Sequence, residues 1–229
     1  MAGASFRTRS RGEPGQALTH VIAIILAAGR GERFGMPKVL VPWDADGVQR
    51  PLGLAHLQAR VGDCARAVLV VRGSHLAGLA GHALPAPAEV LVSSEPDEDG
   101  PAGSLFAALS WVAPSPDVWL LVTPVDVPPA SHVVVDTLVR AVNRASFAAA
   151  ARPSDGARRG HPVLVRASLL LAAFGLRRPP LRSVLQAAGA AVLDVPVDDP
   201  TVFVDFNRPS DLAAHLAAHP PVRSYAPRT

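Results

Sequence analysis

The stretch Val21–Leu40, VIAIILAAGRGERFGMPKVL, decides the fold. Val21 to Leu26 is an apolar, β-branched run long enough for one buried strand, and it stops at Ala27, Ala28 and Gly29, where side-chain bulk vanishes. A tight loop is expected to follow. Gly29, Gly31 and Gly35 permit positive φ and close backbone approach, while Arg33 and Lys38 supply cations able to reach phosphate oxygens. Together they point to triphosphate binding. Neither of two better-known glycine loops fits. The dinucleotide fingerprint needs its third glycine one residue earlier, and the P-loop needs Gly-Lys-Ser/Thr, whereas Lys38 here follows Pro37 and precedes Val39.

Outward from this strand, further apolar runs recur at Val68–Val71, Val90–Ser93, Trp119–Val122, Phe147–Ala151 and Val202–Asp205, with weaker ones at Pro162–Val165 and Val192–Val195. Between them Leu52–Arg60, Leu76–Leu84, Leu105–Val112, Val133–Ala145, Leu181–Ala188 and Asp211–His219 read as helices. Strands alternating with helices predict an α/β fold, a single three-layer α/β/α domain on a mostly parallel sheet. Ligands of such sheets bind at the carboxyl ends of the strands, where the glycine loop falls. The domain is expected over residues 19–219, between a disordered basic tail (1–18) and a flexible tail (220–229).

Composition narrows the class. At 229 residues the chain suits one domain with a full core, packed mainly by Ala, Val and Leu because aromatic residues make up only 5%. The net charge of +3 is uneven, with Arg7, Arg9 and Arg11 at one end and Arg223 and Arg228 at the other. No aromatic residues are interleaved to stack on bases, so these read as solvated tails and no nucleic-acid partner is expected. Cys64 is the only cysteine, which rules out an internal disulfide and suits a reducing, cytoplasmic compartment. No apolar run approaches the roughly 20 residues of a membrane span, so no membrane partner is expected. Glu95, Asp97, Glu98 and Asp99 lie in a Pro/Gly context and read as a solvated acidic turn rather than a metal cluster.

The uninterrupted pattern Leu26, Ala27, Ala28, Gly29, Gly31, Arg33, Phe34, Gly35, Pro37, Lys38 resembles the N-terminal signature of the MobA-like nucleotidyltransferases, the relatives of the molybdenum cofactor guanylyl- and cytidylyltransferases. That resemblance implies a Rossmann-like (GT-A-like) nucleotidyltransferase fold. Two further segments extend it. In WLLVTPVDVPP an apolar strand runs out into Asp126, similar to the family's strand-D-x-P motif, with Val125 where the family usually has glycine. A carboxylate there suits Mg²⁺ or Mn²⁺ bound together with nucleotide oxygens. In FVDFNRPSDL, Asp205, Asn207, Pro209 and Asp211 align with the closing motif D-x-(D/N)-T-P-E-D, which makes Asn207 or Asp205 a second metal ligand. If the strand continues, Asp205 and Asn207 share a face, and Ser210 offers an N-cap to the last helix.

Nucleotide choice is expected at two places. Family members using CTP tend to carry L-A-A-G and those using GTP L-A-G-G, so Ala28 favours CTP. GPAGSLFAAL resembles the family's base-binding turn, a glycine loop entering a helix at Gly103 and Ser104, where Ser104 either bonds a base edge or caps the helix. Gly160, His161 and Pro162 resemble the G-H-P-V motif of the cytidylyltransferase branch and suit the acceptor side. Farther on, RRPPLRSVLQAAG stands where that branch carries a G-D-x-G-A-R acceptor loop.

The resemblance therefore implies transfer of a nucleotidyl group to a small phosphorylated acceptor such as molybdopterin, with release of pyrophosphate. Arg33, Lys38 and Asp126 would be the catalytic residues, in a monomer or weak dimer. The alternatives are a sugar phosphate as acceptor, or a nucleotide-binding protein without turnover.

Overall fold

In the computed structural model, which describes residues 18–45, 47–94, 100–174 and 178–219, the opening apolar run lies in strand β1 (Leu18–Leu26). Its side chains alternate between two cores. Val21, Ala23 and Ile25 join a cluster containing Leu52 and Leu57 of α1 (Leu52–Arg60) and Val135 and Leu138 of α4 (His132–Arg144). Ile22 and Ile24 join a second cluster containing Leu105 and Leu109 of α3 (Gly100–Val112), Leu170 of α5 (Ala167–Ala173) and Leu185 of α6 (Leu181–Ala188). Both faces of the strand are covered, which is why it is apolar without alternation.

The main sheet has seven strands in the order β5 (Ala88–Val92), β4 (Cys64–Val71), β1, β6 (Trp119–Pro124), β8 (Val163–Arg166), β7 (Ala150–Ser154) and β9 (Val192–Pro196). All pairings are parallel except those of β8, which runs antiparallel to β6 and β7. This is the three-layer, mostly parallel α/β architecture expected. The chain leaves β1 toward β4 and β5, then returns across β1 to β6 and continues the other way. That reversal opens a crevice at the carboxyl ends of β1 and β6, the usual ligand position in open α/β sheets.

Several expectations are corrected. Residues Val202–Asp205 are not a strand: Pro200–Phe203 form a 3-10 turn, started by Pro200 and by Asp199, whose carboxylate accepts the Thr201 N–H at 3.0 Å. The helix expected over 76–84 is only α2 (Leu76–Leu79), with Gly78 inside it and Gly81 in a left-handed conformation just beyond. Strand β7 begins at Ala150, leaving Phe147 outside it and 66% exposed.

Ser210 does not cap α7 (Pro209–Ala218). Arg208 is the N-cap residue, Pro209 is the first helical residue, and the Asp211 carboxylate accepts the N–H groups of Asn207 (2.9 Å) and Arg208 (2.7 Å). The hairpin β2 (Pro42–Ala45) and β3 (Val48–Pro51) and helix α5 were not anticipated. The basic tails and the Glu95–Asp99 stretch lie outside the described residues, among which no helix is long and apolar enough to cross a membrane.

Leu121, fully buried on the central strand β6, tests this packing. Leu121→Ala should cost about 2–5 kcal/mol of stability through the cavity it leaves, read as a lower urea midpoint with an unchanged slope.

Candidate functional site

Strands β1 and β6 are paired in parallel with Leu26 opposite Pro124, so they end at the same height. One further hydrogen bond, from the Val125 N–H to the Leu26 carbonyl at 3.0 Å, locks the two exits together. The glycine loop therefore leaves one side of the crevice and Asp126 the other. Between them lies a cavity of about 520 Å³.

The glycine loop forms one wall through Leu26, Ala28, Gly29, Gly31, Arg33 and Lys38. Gly31 sits at φ +70°, and a Cβ there would fall 1.9 Å from the Met36 carbonyl oxygen, so only glycine fits. The loop then turns through a 3-10 segment, Glu32–Phe34, anchored by the buried Phe34 ring. Opposite stand Asp126 and Asn207. Lys38 Nζ reaches across to Asp126 Oδ2 at 3.0 Å, so the expected phosphate-binding cation and the expected metal carboxylate form an ion pair.

The Asp126 loop is tied down from several sides. Its own carbonyl accepts the Phe206 N–H at 2.6 Å, which draws the Asp205–Asn207 segment to the crevice. From α1, His56 Nε2 lies 3.0 Å from the Val127 carbonyl, and Arg60 donates to the Ala130 carbonyl. On the far side, Gly160 is packed so tightly against Val202 that a Cβ would lie 2.3 Å from its carbonyl oxygen, and the His161 N–H donates to that same oxygen at 2.9 Å.

The electrostatics show which groups converge. Desolvation first, and the Asp126 carboxylate second, raise the Asp205 carboxyl above its ordinary range. Burial pushes His161 down, while the Asp205 and Asp126 carboxylates pull it the other way. Asp126 and Asn207 share one wall of the cavity, and Asp205, outside the lining, is near enough to feel the Asp126 charge; oxygen donors of this kind suit a hard divalent cation. Among the described residues no three His, Cys, Asp or Glu side chains are grouped to hold a metal alone. A cation here needs nucleotide oxygens to complete its shell, the usual arrangement for Mg²⁺ with substrate phosphates.

The cavity thus collects Leu26, Ala28, Gly29, Gly31, Arg33, Lys38, Ser104, Asp126 and Asn207 from the residues singled out in the sequence. Ala27 lies behind the wall, its N–H donating to the Val70 carbonyl at 2.8 Å. Gly103 is buried inside α3, and Asp205, Gly160 and His161 are outside the lining. Ser104 is neither in a loop nor a cap: it is the fifth residue of α3 and meets the cavity from the helix. Arg72 and Ser93 also line it and were missed. Both lie just past apolar strand runs, so the carboxyl-end rule that found Asp126 would have found them. Arg72 also donates through Nε to the Ala28 carbonyl at 3.2 Å, bracing the glycine loop. His56 and Arg60 were missed because nothing in the pattern of α1 separates a polar group facing a loop from one facing solvent.

Comparison with known proteins places this geometry. A family model described as the MobA-like NTP transferase domain matches residues 23–195. A molybdenum cofactor guanylyltransferase from Pseudomonas paraeruginosa is 36% identical over 134 residues, which cover 58% of this chain and 61% of that protein. The match thus spans about three fifths of the relative's length. Rv0371c from Mycobacterium tuberculosis, solved as a manganese complex, superposes with a TM-score of 0.65 at 22% identity over 87% of this chain and 98% of its own. The 2-C-methyl-D-erythritol 4-phosphate cytidylyltransferase from Thermus thermophilus does so with a TM-score of 0.57 at 22% identity, over 86% and 97%. At these identities the two structures speak for the fold.

Gly31→Ala should weaken nucleotide binding by about tenfold or more, since left-handed strain of 1–2 kcal/mol adds to the collision with Met36; titration calorimetry with nucleoside triphosphate checks it. The buried His56 gives a second expectation. Burial, aided by the Arg60 charge and opposed by the Val127 carbonyl and Asp126, pushes it down to about 4. An unfolded histidine titrates near 6.5, so the unfolded chain takes up the proton first. The associated stability is present above pH 6.5 and is lost as pH falls toward 4, about 3 kcal/mol in all. Burial lowers His75, His161 and His215 in the same sense. Urea midpoints should fall across pH 6.5 to 4, and less steeply in His56→Gln.

Proposed function

The chain belongs to the MobA-like NTP transferase domain family, and we propose that it is a nucleotidyltransferase that joins a nucleoside monophosphate to a small phosphorylated acceptor with release of pyrophosphate. The observation that carries this is the single crevice in which a glycine loop bearing Arg33 and Lys38 faces Asp126 and Asn207. An acceptor oxygen attacks the α-phosphorus of the bound triphosphate, and the bond to the bridging oxygen of pyrophosphate breaks.

The glycine loop seats the phosphate chain. Arg33 and Lys38 stabilise the negative charge that gathers on the departing pyrophosphate, with Lys38 exchanging the Asp126 carboxylate for phosphate oxygens. Asp126, with Asn207 or Asp205, would hold Mg²⁺ or Mn²⁺, and the cation would supply charge neutralisation for the triphosphate. No protein base is assigned. A phosphate monoester has a second pKa of about 6 and is already largely ionised at neutral pH.

CTP is the nucleotide we favour, because Ala28 of the L-A-A-G pattern lines the cavity. The similarity to a guanylyltransferase makes GTP the competing choice. Molybdopterin is the acceptor that this similarity supports. The fold shared with a methylerythritol phosphate cytidylyltransferase supports a sugar phosphate as the second reading. The lone thiol, Cys64, is buried and pushed up to about 11 by that burial, an unreactive group at home in a reducing cytoplasm.

Pyrophosphate release is the test, with CTP, GTP, ATP and UTP each offered molybdopterin or a panel of sugar phosphates in the presence of Mg²⁺. CTP with molybdopterin should turn over, and Asp126→Ala should lower the rate by at least about a hundredfold, the scale of a lost electrostatic stabiliser. Release with a sugar phosphate alone would keep the mechanism and move the acceptor. Nucleotide binding without release from any pair would leave a binding protein and overturn the proposal.

A further inference from the structure

Helix α1 buries two polar residues. His56 and Arg60 are four residues apart, hence on one face, and only 3% and 5% exposed. Burying an imidazole and a guanidinium costs free energy unless each finds partners. Their partners are the Val127 and Ala130 carbonyls, which flank Pro128 and Pro129 directly after Asp126. Because a carbonyl only accepts, His56 must present an Nε2–H to Val127. Its depressed basicity keeps the ring neutral above about pH 4. Among the described residues Arg60 Nη1 has no hydrogen-bond partner, and it lies 3.8 Å from the Asp63 carboxylate. The guanidinium is therefore committed mainly to the loop.

Among the described residues the backbone of this loop is also tied by Val125 N–H to Leu26 and by Phe206 N–H to the Asp126 carbonyl, while Lys38 grips the carboxylate from the cavity side, a partner that an incoming phosphate would take away. Those two backbone ties set the height of the loop. Both act at or before Asp126, whereas the Val127 and Ala130 carbonyls lie after it. His56 and Arg60 hold the loop on that far side of Asp126, and neither lines the cavity.

We propose that His56 and Arg60 are positioning residues for the metal carboxylate, acting through the carbonyls of Val127 and Ala130 to fix the aim of Asp126. This rests on the assignment of Asp126 as a ligand of the divalent cation. The hydrogen bond, more than the volume, is the active feature, so a side chain that keeps an N–H in place should preserve function. Burial alone predicts the opposite ranking, in which leucine outperforms glutamine.

The test is Mn²⁺ affinity of the full chain with CTP bound, read from the free-ion electron paramagnetic resonance signal, together with kcat, KM for CTP and thermal midpoint. His56→Leu should weaken Mn²⁺ binding and lower kcat by about tenfold, the lower end of what outer-shell partners of metal ligands are worth. KM for CTP should stay within about twofold, and His56→Gln should recover most of both losses. Wild-type Mn²⁺ affinity and kcat in a folded His56→Leu protein would overturn the proposal. So would equal losses in the leucine and glutamine variants. If His56→Leu does not fold, Arg60→Met against Arg60→Lys makes the same comparison. Asp126→Asn separates the two levels: if it leaves Mn²⁺ binding intact, the ligand assignment itself fails, whereas if it abolishes binding while His56→Leu does not weaken it, only the positioning role fails.

Discussion

The site depends on two parallel strands ending in step. With Leu26 opposite Pro124 and the Val125 N–H closing onto the Leu26 carbonyl, the exits of β1 and β6 are held at one level. A slip of one residue in this pairing would turn every core side chain of β1 to the wrong cluster, so the two hydrophobic layers enforce the register. Packing far from the crevice thereby sets the distance between the glycine loop and Asp126. The 3.0 Å contact of Lys38 with Asp126 follows from it.

The remaining components are hung on this frame by backbone contacts. The Asp126 carbonyl recruits Phe206, and with it the loop carrying Asp205 and Asn207. Phe206 is itself buried among Trp43 of the hairpin and His215 of α7, so a small aromatic cluster sets the approach of that loop. The Val202 carbonyl in turn receives His161, and the closeness of Gly160 to it leaves no room for a side chain. Strand β8, the antiparallel member of the sheet, brings this segment in from the opposite direction to its neighbours.

Legibility in the sequence followed the range of the interactions. The β1 run, the loop glycines, Arg33, Lys38 and Asp126 were readable because buried strands and the loops at their carboxyl ends leave local signals: an apolar run, then small residues, then charge. The Val202–Asp205 segment was misread because its apolar alternation matches a strand, while Asp199 and Pro200 start a tight turn. Ser210 lost the capping role to a Pro209 start reinforced by the Asp211 carboxylate, two local signals that put the N-cap at Arg208, two residues before the serine. Arg72 and Ser93, just past β4 and β5, carried the same local signal as Asp126; His56 and Arg60 depend on which elements become neighbours in space, and no local pattern carries that information.

The Lys38–Asp126 pair has a further consequence for throughput. Its members are only partly shielded, with side chains 17% and 34% exposed, so water and ligand both have access to it. On the proposed function, an incoming triphosphate would have to dismantle this internal pairing before it gained Lys38, and part of the attraction would be spent on the exchange. The ground state would then be held less tightly than the charges alone would suggest, and the pair would re-form as pyrophosphate departs. A crevice that supplies its own counter-charge on emptying expels a polyanionic product more readily than one left with a bare ammonium, and so trades resting affinity for speed of release.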